Sequence, residues 1–253
     1  MATEPRIRLA TQGDDLGSCH SANLAFEEAY KKGILRNASL MSICPGIVEA
    51  AEMLAGEKGL CFGLHSSMNA EWDSVRWAPA APPEKVPSLL ADDGKLFQTT
   101  TQLFHNGPTF EEIMIELQAQ LDYARKLGFE MTYADAHCGW TWILKEREAE
   151  FAKWCEREGL IRRKRYQRLP KVDMEGDRVE KLIASLEKAE PGTYAIGGHP
   201  GYDNEEMRSL GHEGYPGTQV ATEREWERRI HCDERIVTYC KEHGVVPIRH
   251  DEA

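Results

Sequence analysis

The sequence has no C-x-x-C pair, no G-x-G-x-x-G and no G-x-x-x-x-G-K-[ST], and no run comes near the roughly 18 apolar residues of a membrane-spanning helix. Each absence removes a class. Without the glycine motifs there is no support for a dinucleotide fold or a P-loop. The seven cysteines, Cys19, Cys44, Cys61, Cys138, Cys155, Cys232 and Cys240, are odd in number and unpaired in spacing. That argues against a disulfide framework or zinc knuckle and leaves reduced thiols as the expectation. Positive charge is also short: 31 Lys+Arg stand against 42 Asp+Glu, a net charge of −11, which counts against a general binder of nucleic acid or anionic membranes. The single basic run, Arg162-Arg163-Lys164-Arg165, reads as a solvated strand edge or loop. With no leader-like apolar core in the first residues, the expectation is a soluble, cytoplasmic protein.

What is present is a regular alternation. The 253 residues, 41% of them hydrophobic, suffice for one α/β domain of barrel size. Short apolar or β-prone runs fall at Ile7 to Ala10, Ala38 to Cys44, Leu60 to Leu64, Met131 to Ala136, Leu160-Ile161, Tyr194 to Ile196 and Val245 to Ile248. Between them lie helical periodicities. Ala22, Ala25, Phe26 and Ala29 form one, Ile47, Ala50, Ala51 and Leu54 a second. Ile113, Leu117, Leu121 and Ala124 follow a capping signal at Thr109 and Glu112. Phe151, Trp154 and Cys155 come next, then Val179, Leu182, Ile183 and Leu186. A last helix, capped by Thr222 and Glu225, carries Trp226, Ile230, Val237 and Cys240 inward. About seven strands alternating with about six helices predict a parallel sheet, best closed as a distorted, TIM-like (β/α) barrel in a single domain over 1–253. Residues 66–108 break the rhythm with five prolines and two tryptophans, and read as a lid or insertion.

Polar residues gather where these strands end. Asp14 and Asp15 close the first, His65 the third, Asp135 and His137 the fourth, and His199 follows the sixth. Parallel strands share one rim, so residues distant in sequence meet there. One carboxylate of the acidic pair with His65 and His137 makes a three-ligand site for a divalent cation, Mg²⁺, Zn²⁺ or Mn²⁺, with positions left for water and substrate. The other Asp is placed as general base. His199, held by Gly198, Pro200 and Gly201, falls on the leaving-group side as general acid. Asp135, two residues from His137, is placed to orient an imidazole. Spacing leaves open which of Asp14 and Asp15 has which role.

The strings Asp-Asp-Leu-Gly at 14–17, Ala-Ser-Leu-Met at 38–41, Gly-Leu-His at 63–65, Val-Pro-Ser-Leu-Leu at 86–90, Asp-Ala-His at 135–137 and His-Pro-Gly at 199–201 resemble the YdjC/ChbG-type carbohydrate deacetylases. The resemblance runs in order from residue 7 to about 250. It implies a distorted (β/α) barrel, one divalent ion and hydrolysis of an N-acetyl group on an amino sugar or short oligosaccharide, commonly in homodimers. By position it implies Asp15, His65 and His137 as metal ligands, Asp14 as base and His199 as the acid-side histidine. Departures fall around the pocket: Leu16 stands where the family usually has Phe, Ser66-Ser67-Met68-Asn69 follows His65, and Cys138-Gly139-Trp140 follows His137. They bear on which sugar is taken.

Indole faces pack well on sugar rings, which makes Trp72, Trp77, Trp140 and Trp142 candidate platforms, Trp140 foremost for its closeness to His137. Arg76 and Arg165 are candidate contacts for a substrate hydroxyl or anion. Cys138, with no histidine of its own in the sequence pattern, reads as a small packing residue rather than a nucleophile. Two other functions suit the same ligands: a barrel phosphoesterase or endonuclease, and a metal- or sugar-binding protein without turnover.

Overall fold

A computed structural model describes residues 5–162 and 166–253. Its elements in order are β1 (Ile7–Leu16), α1 (His20–Lys31), β2 (Asn37–Leu40), α2 (Ile47–Leu54), β3 (Cys61–Ser66), α3 (Thr100–His105), α4 (Phe110–Lys126), β4 (Met131–Ala136), α5 (Glu148–Arg157), β5 (Ile161–Arg162), α6 (Arg178–Glu187), β6 (Gly192–Gly198), α7 (Glu205–Arg208), α8 (Gly217–Cys232), α9 (Glu234–Glu242) and β7 (Val245–Ile248). Every pairing between these strands is parallel. The order is β5-β4-β3-β2-β1-β6, with β7 beside the first half of β1 and β2 beside its second half. A parallel bridge from Gln167 to Tyr194 then ties the chain after β5 to β6. The circuit returns on itself, as the distorted (β/α) barrel read from the sequence requires.

β1 is the axis of this arrangement because it pairs with three strands. All of Ile7, Leu9, Ala10, Thr11 and Gln12 are buried, which suits a strand covered on both faces. Two apolar clusters flank it. The larger packs Phe26, Leu40, Phe62, Leu117, Leu121 and Trp154 between the sheet and α1, α2, α4 and α5. The smaller joins Ile7 and Leu9 to Val179, Leu186, Ile236 and Tyr239 of α6 and α9. Gly63 pairs with Tyr133 across β3 and β4. A Cβ there would come within 2.1 Å of the tyrosine ring, so only glycine lets that ring lie flat across the strand.

Two sequence expectations are corrected. The first strand does not stop before the acidic pair but runs through it to Leu16, because a register shift between Gly13 and Leu16 lets pairing to β2 resume beyond the acids. The last helix is two helices: Asp233 is extended, and its side chain accepts from Arg235 N as a new cap. Thr222 consequently lies inside α8, bonding back to Thr218 O, and caps nothing. Residues 66–108, read from the sequence as a lid or insertion, form a folded excursion. They contain α3 and bury Trp72, Trp77, Val86, Leu89, Leu96 and Leu103 in the larger cluster. Of the basic run, residues 163–165, including the candidate Arg165, lie outside the described residues.

Candidate active site

The register of the parallel strands decides which polar side chains meet. Gly13 of β1 stands opposite Gly198 of β6, and the residues that follow each, Asp14 and His199, line the same pocket. His65 of β3 stands opposite Asp135 of β4. Asp15 has φ +73°, a left-handed conformation that Asp tolerates better than most residues. It turns the chain within one residue, so that consecutive acids both face the rim. After β4, Cys138 (φ +49°) and Gly139 (φ +61°) reverse the backbone immediately behind His137.

Three donor atoms converge. Asp15 Oδ1 lies 3.4 Å from His65 Nε2 and 3.4 Å from His137 Nδ1. All three side chains are buried, and their donor atoms lie within 4.8 Å of one another. The outward sides are occupied. Arg224 Nη2 donates to Asp15 Oδ2 at 2.8 Å. Asp135 Oδ1 holds His65 Nδ1 at 2.7 Å, and Glu71 Oε2 stands 3.3 Å from His137 Nε2. Asp15 Oδ1 is left buried without a hydrogen-bond partner among the described residues. An ionised oxygen with no donor, facing two ring nitrogens, is costly unless a cation fills the gap. The donor set of one carboxylate and two imidazoles therefore fits a divalent ion, with Asp135 and Glu71 able to fix the ring tautomers.

The electrostatics point the same way. Burial alone would raise the Asp15 carboxyl, but the Arg224 guanidinium, with His137 and His199, holds it well below the usual carboxylate range. Burial also opposes charge on His65, yet Asp135, Asp14 and Asp15 push it up to about 9. His137 is likewise driven well above an ordinary imidazole, against burial, by Asp15, Cys138 and Glu71. So much negative charge around two imidazoles calls for cations, as protons or as a metal.

These groups line one pocket of about 350 Å³ with Asp14, Trp72, Cys138, His199, Tyr215, Glu223, Arg224 and Glu227, a size within the range of small-molecule sites. His199 is the accessible member, its side chain 45% exposed. Glu227 Oε2 accepts from His199 N at 2.6 Å and lies 3.1 Å from Nδ1. This contact, with Asp15 nearby, raises the imidazole above its ordinary range. Gly198 is needed here, since a Cβ would crowd Glu227 Cβ at 3.0 Å. The charged and aromatic pocket residues that sequence reasoning missed are Glu71, Tyr215, Glu223, Arg224 and Glu227.

The family is decided by a match to the profile of the YdjC-like proteins over residues 8–164, a span that includes Asp14, Asp15, His65, Asp135 and His137. The chain belongs to the YdjC-like family. Two relatives, each named carbohydrate deacetylase, match over nearly their whole length. That of Thermoanaerobacter pseudethanolicus is 25% identical over 253 residues, 94% of this chain and 96% of the relative. That of Geobacillus stearothermophilus is 25% identical over 254 residues, 94% and 95%. A solved structure from Enterococcus faecalis V583, described as a candidate cellobiose-phosphate cleavage protein, superposes with a TM-score of 0.78 at 19% identity, covering 99% of both chains. That likeness places this YdjC-like chain in a shared fold.

Against the sequence expectations, the structure brings Asp14, Asp15, His65, Asp135, His137 and His199 to one end of the sheet, with Trp72 in the pocket wall. Trp72 is nearly buried, stacked on His212 and Tyr215 with the Arg224 guanidinium 5.6 Å from its ring centre. Trp140 is corrected as a substrate platform. The Cys138–Gly139 turn folds it inward, where it has no exposed surface, donates Nε1–H to Ser66 O at 2.9 Å and packs on Phe151. Arg76 is corrected too. Its guanidinium is taken by Asp93 Oδ2 and Leu96 O, each at 2.7 Å, and braces the 66–108 excursion away from the pocket. Trp77 is buried, donating to Asn69 O, and Trp142 packs on Phe104. Cys19, Cys44, Cys61, Cys138, Cys232 and Cys240 are free thiols.

Proposed function

We propose that this protein is a metal-dependent carbohydrate deacetylase, removing the acetyl group from an N-acetylated amino sugar or short oligosaccharide. The observation that carries the reading is the unpartnered Asp15 Oδ1 facing His65 Nε2 and His137 Nδ1, with Asp14 and His199 lining the same pocket. The names of the two full-length relatives support it. Asp15, His65 and His137 would hold the cation, which when bound polarises a carbonyl oxygen and makes water easier to deprotonate.

The protein's own groups account for the proton traffic. Asp14 takes a proton from the attacking water as its oxygen bonds to the acetyl carbon. As the C–N bond breaks, His199 gives a proton to the departing nitrogen, leaving acetate and a free amine. Glu227 holds His199 in place and favours its charged form. Arg224 keeps Asp15 ionised and occupies one of its oxygens, so that the other is offered inward. Trp72, backed by His212 and Tyr215, supplies an apolar wall for a sugar face.

The test is acetate release from N-acetylglucosamine and its short oligomers, with Zn²⁺, Mg²⁺ or Mn²⁺ supplied in turn, beside phosphate release from phosphoesters. Acetate from at least one sugar is expected. Phosphate release without acetate would favour a phosphoesterase, and sugar binding without either product would favour a binding protein.

A further inference from the structure

Beneath the acidic pair runs a buried polar chain that the steps above do not use. Gln12, in β1 and 1% exposed, presents Nε2 to Asp14 Oδ1, to Asp135 Oδ2 at 2.8 Å and to Ser39 Oγ at 3.1 Å. Its Oε1 lies 2.7 Å from Nε2 of His250, which has no exposed surface. His250 follows β7 by two residues. Its Nδ1 is 2.8 Å from Tyr166 Oη, and its backbone N–H donates to Asn37 Oδ1 at 2.7 Å. Asn37 in turn donates to Thr11 O and Ile248 O.

Donor and acceptor chemistry allows one arrangement of this chain. Ionised carboxylates only accept, so the Gln12 amide nitrogen faces Asp14 and Asp135 and the carbonyl oxygen faces His250. His250 must then carry a proton on Nε2, which leaves Nδ1 of a neutral ring to accept from the Tyr166 hydroxyl. Turning the amide over would set its oxygen against two carboxylates and lose both of those bonds. One amide thus bridges the residue assigned as base and the residue that orients His65, while neither Gln12 nor His250 reaches the pocket lining.

We propose that Gln12 and His250 are a positioning pair: Gln12 fixes Asp14 and Asp135 relative to each other, and His250 locks the Gln12 amide in the required orientation. The Asp14 half of this proposal rests on the deacetylase reading; the Asp135–His65 half does not. Partners one step removed from a metal ligand typically change metal affinity or activity about 10–100-fold when lost. His250→Phe keeps a ring against Tyr166 but has no donor; three contacts out from His65, it should weaken metal affinity and lower kcat by less than that factor, with KM within about twofold. His250→Gln restores a donor and should recover part of both.

The deciding measurement needs no activity. In ¹⁵N-histidine-labelled protein, long-range ¹⁵N–¹H spectra should show His250 as the neutral Nε2–H tautomer, and Gln12→Ala should abolish that preference. A Nδ1–H tautomer or a charged ring in the wild type would overturn the proposal. So would folded His250→Phe protein with wild-type metal affinity. Should wild-type protein release no acetate from any sugar, the deacetylase reading falls, and the tautomer and affinity measurements still decide the positioning pair.

Discussion

Asp15 divides its two oxygens between opposite tasks. Oδ2 accepts from the buried Arg224 and Oδ1 points at two imidazoles. Asp14, half-buried one residue away, makes no such pair with arginine among the described residues and lines the same pocket as His199. Their substitutions should therefore differ in kind. Asp15→Ala, His65→Ala and His137→Ala are each expected to lose bound metal and acetate release together. Asp14→Asn should retain metal and lose about 10²–10⁴ in kcat, the usual weight of a general base, as metal analysis and initial rates would show. His199 gives a second contrast. Glu227 raises it, and as the acid it must be protonated, so activity falls as pH climbs through its pKa. Glu227→Gln removes the raising contact, and the alkaline limb of the kcat profile should move to lower pH; an unmoved or higher limb would contradict the role of His199.

The ligands were legible in the sequence because each sits where an apolar run stops, and parallel strands make such positions neighbours. Arg224 and Glu227 were not. They lie in Thr-Glu-Arg-Glu-Trp-Glu-Arg-Arg at 222–229, which reads as a solvated helical face until α8 is laid over the end of β6. Trp140 was misread for a similar reason. Three residues of separation from His137 suggested proximity to substrate, but two consecutive left-handed residues send the side chain into the core.

At the scale of elements, β1, β3 and β4 deliver the ligands while the 66–108 excursion closes over them with Glu71 and Trp72. One buried acid pins that excursion to α4. Glu116 accepts from Ala80 N at 2.8 Å and Ala81 N at 2.9 Å through separate oxygens, and from Gln120 Nε2 at 2.8 Å. Burial outweighs these bonds and raises its carboxyl to about 6. The folded pKa thus exceeds the unfolded one of 4.5. The folded state then holds the proton more tightly, and the stabilisation present below pH 4.5 is lost as pH rises through 6. The span is worth about 2 kcal/mol. In urea melts, wild type should lose that much relative to Glu116→Gln between pH 4.5 and pH 7. An equal difference at both pH values would mean that Glu116 titrates as it does unfolded. The excursion itself defied sequence reading because its prolines and mixed spacing mask a set of buried anchors, among them Val86, Leu89, Leu96 and Leu103, that follow neither a helical nor a strand period.

For the molecule as a whole, strand alternation sufficed to foresee a parallel barrel, since seven strands alternating with helices have few other ways to close. The place of closure was not foreseen: among the described residues it passes through a two-residue β5 and a single bridge at Gln167, too short to leave a periodic signal. Three of the six strands in the main sheet order supply candidate metal ligands or their partners, so a bound cation should brace the barrel from its rim. At a free metal concentration 100-fold above Kd, linkage gives about 2.7 kcal/mol, or about 5–10 °C in Tm for a chain of this size. Calorimetry of stripped and reloaded protein would measure it, and His65→Ala should remove the difference.

The most direct test of the account joins metal to chemistry in one titration. Protein stripped with a chelator is reloaded with Zn²⁺ or Mn²⁺ in fractional equivalents, and acetate release from an N-acetylated oligosaccharide is followed at each step. Activity should rise in proportion to bound metal and level off at one equivalent. Full acetate release by the stripped protein, or none by the fully loaded one across the sugar series, would contradict it.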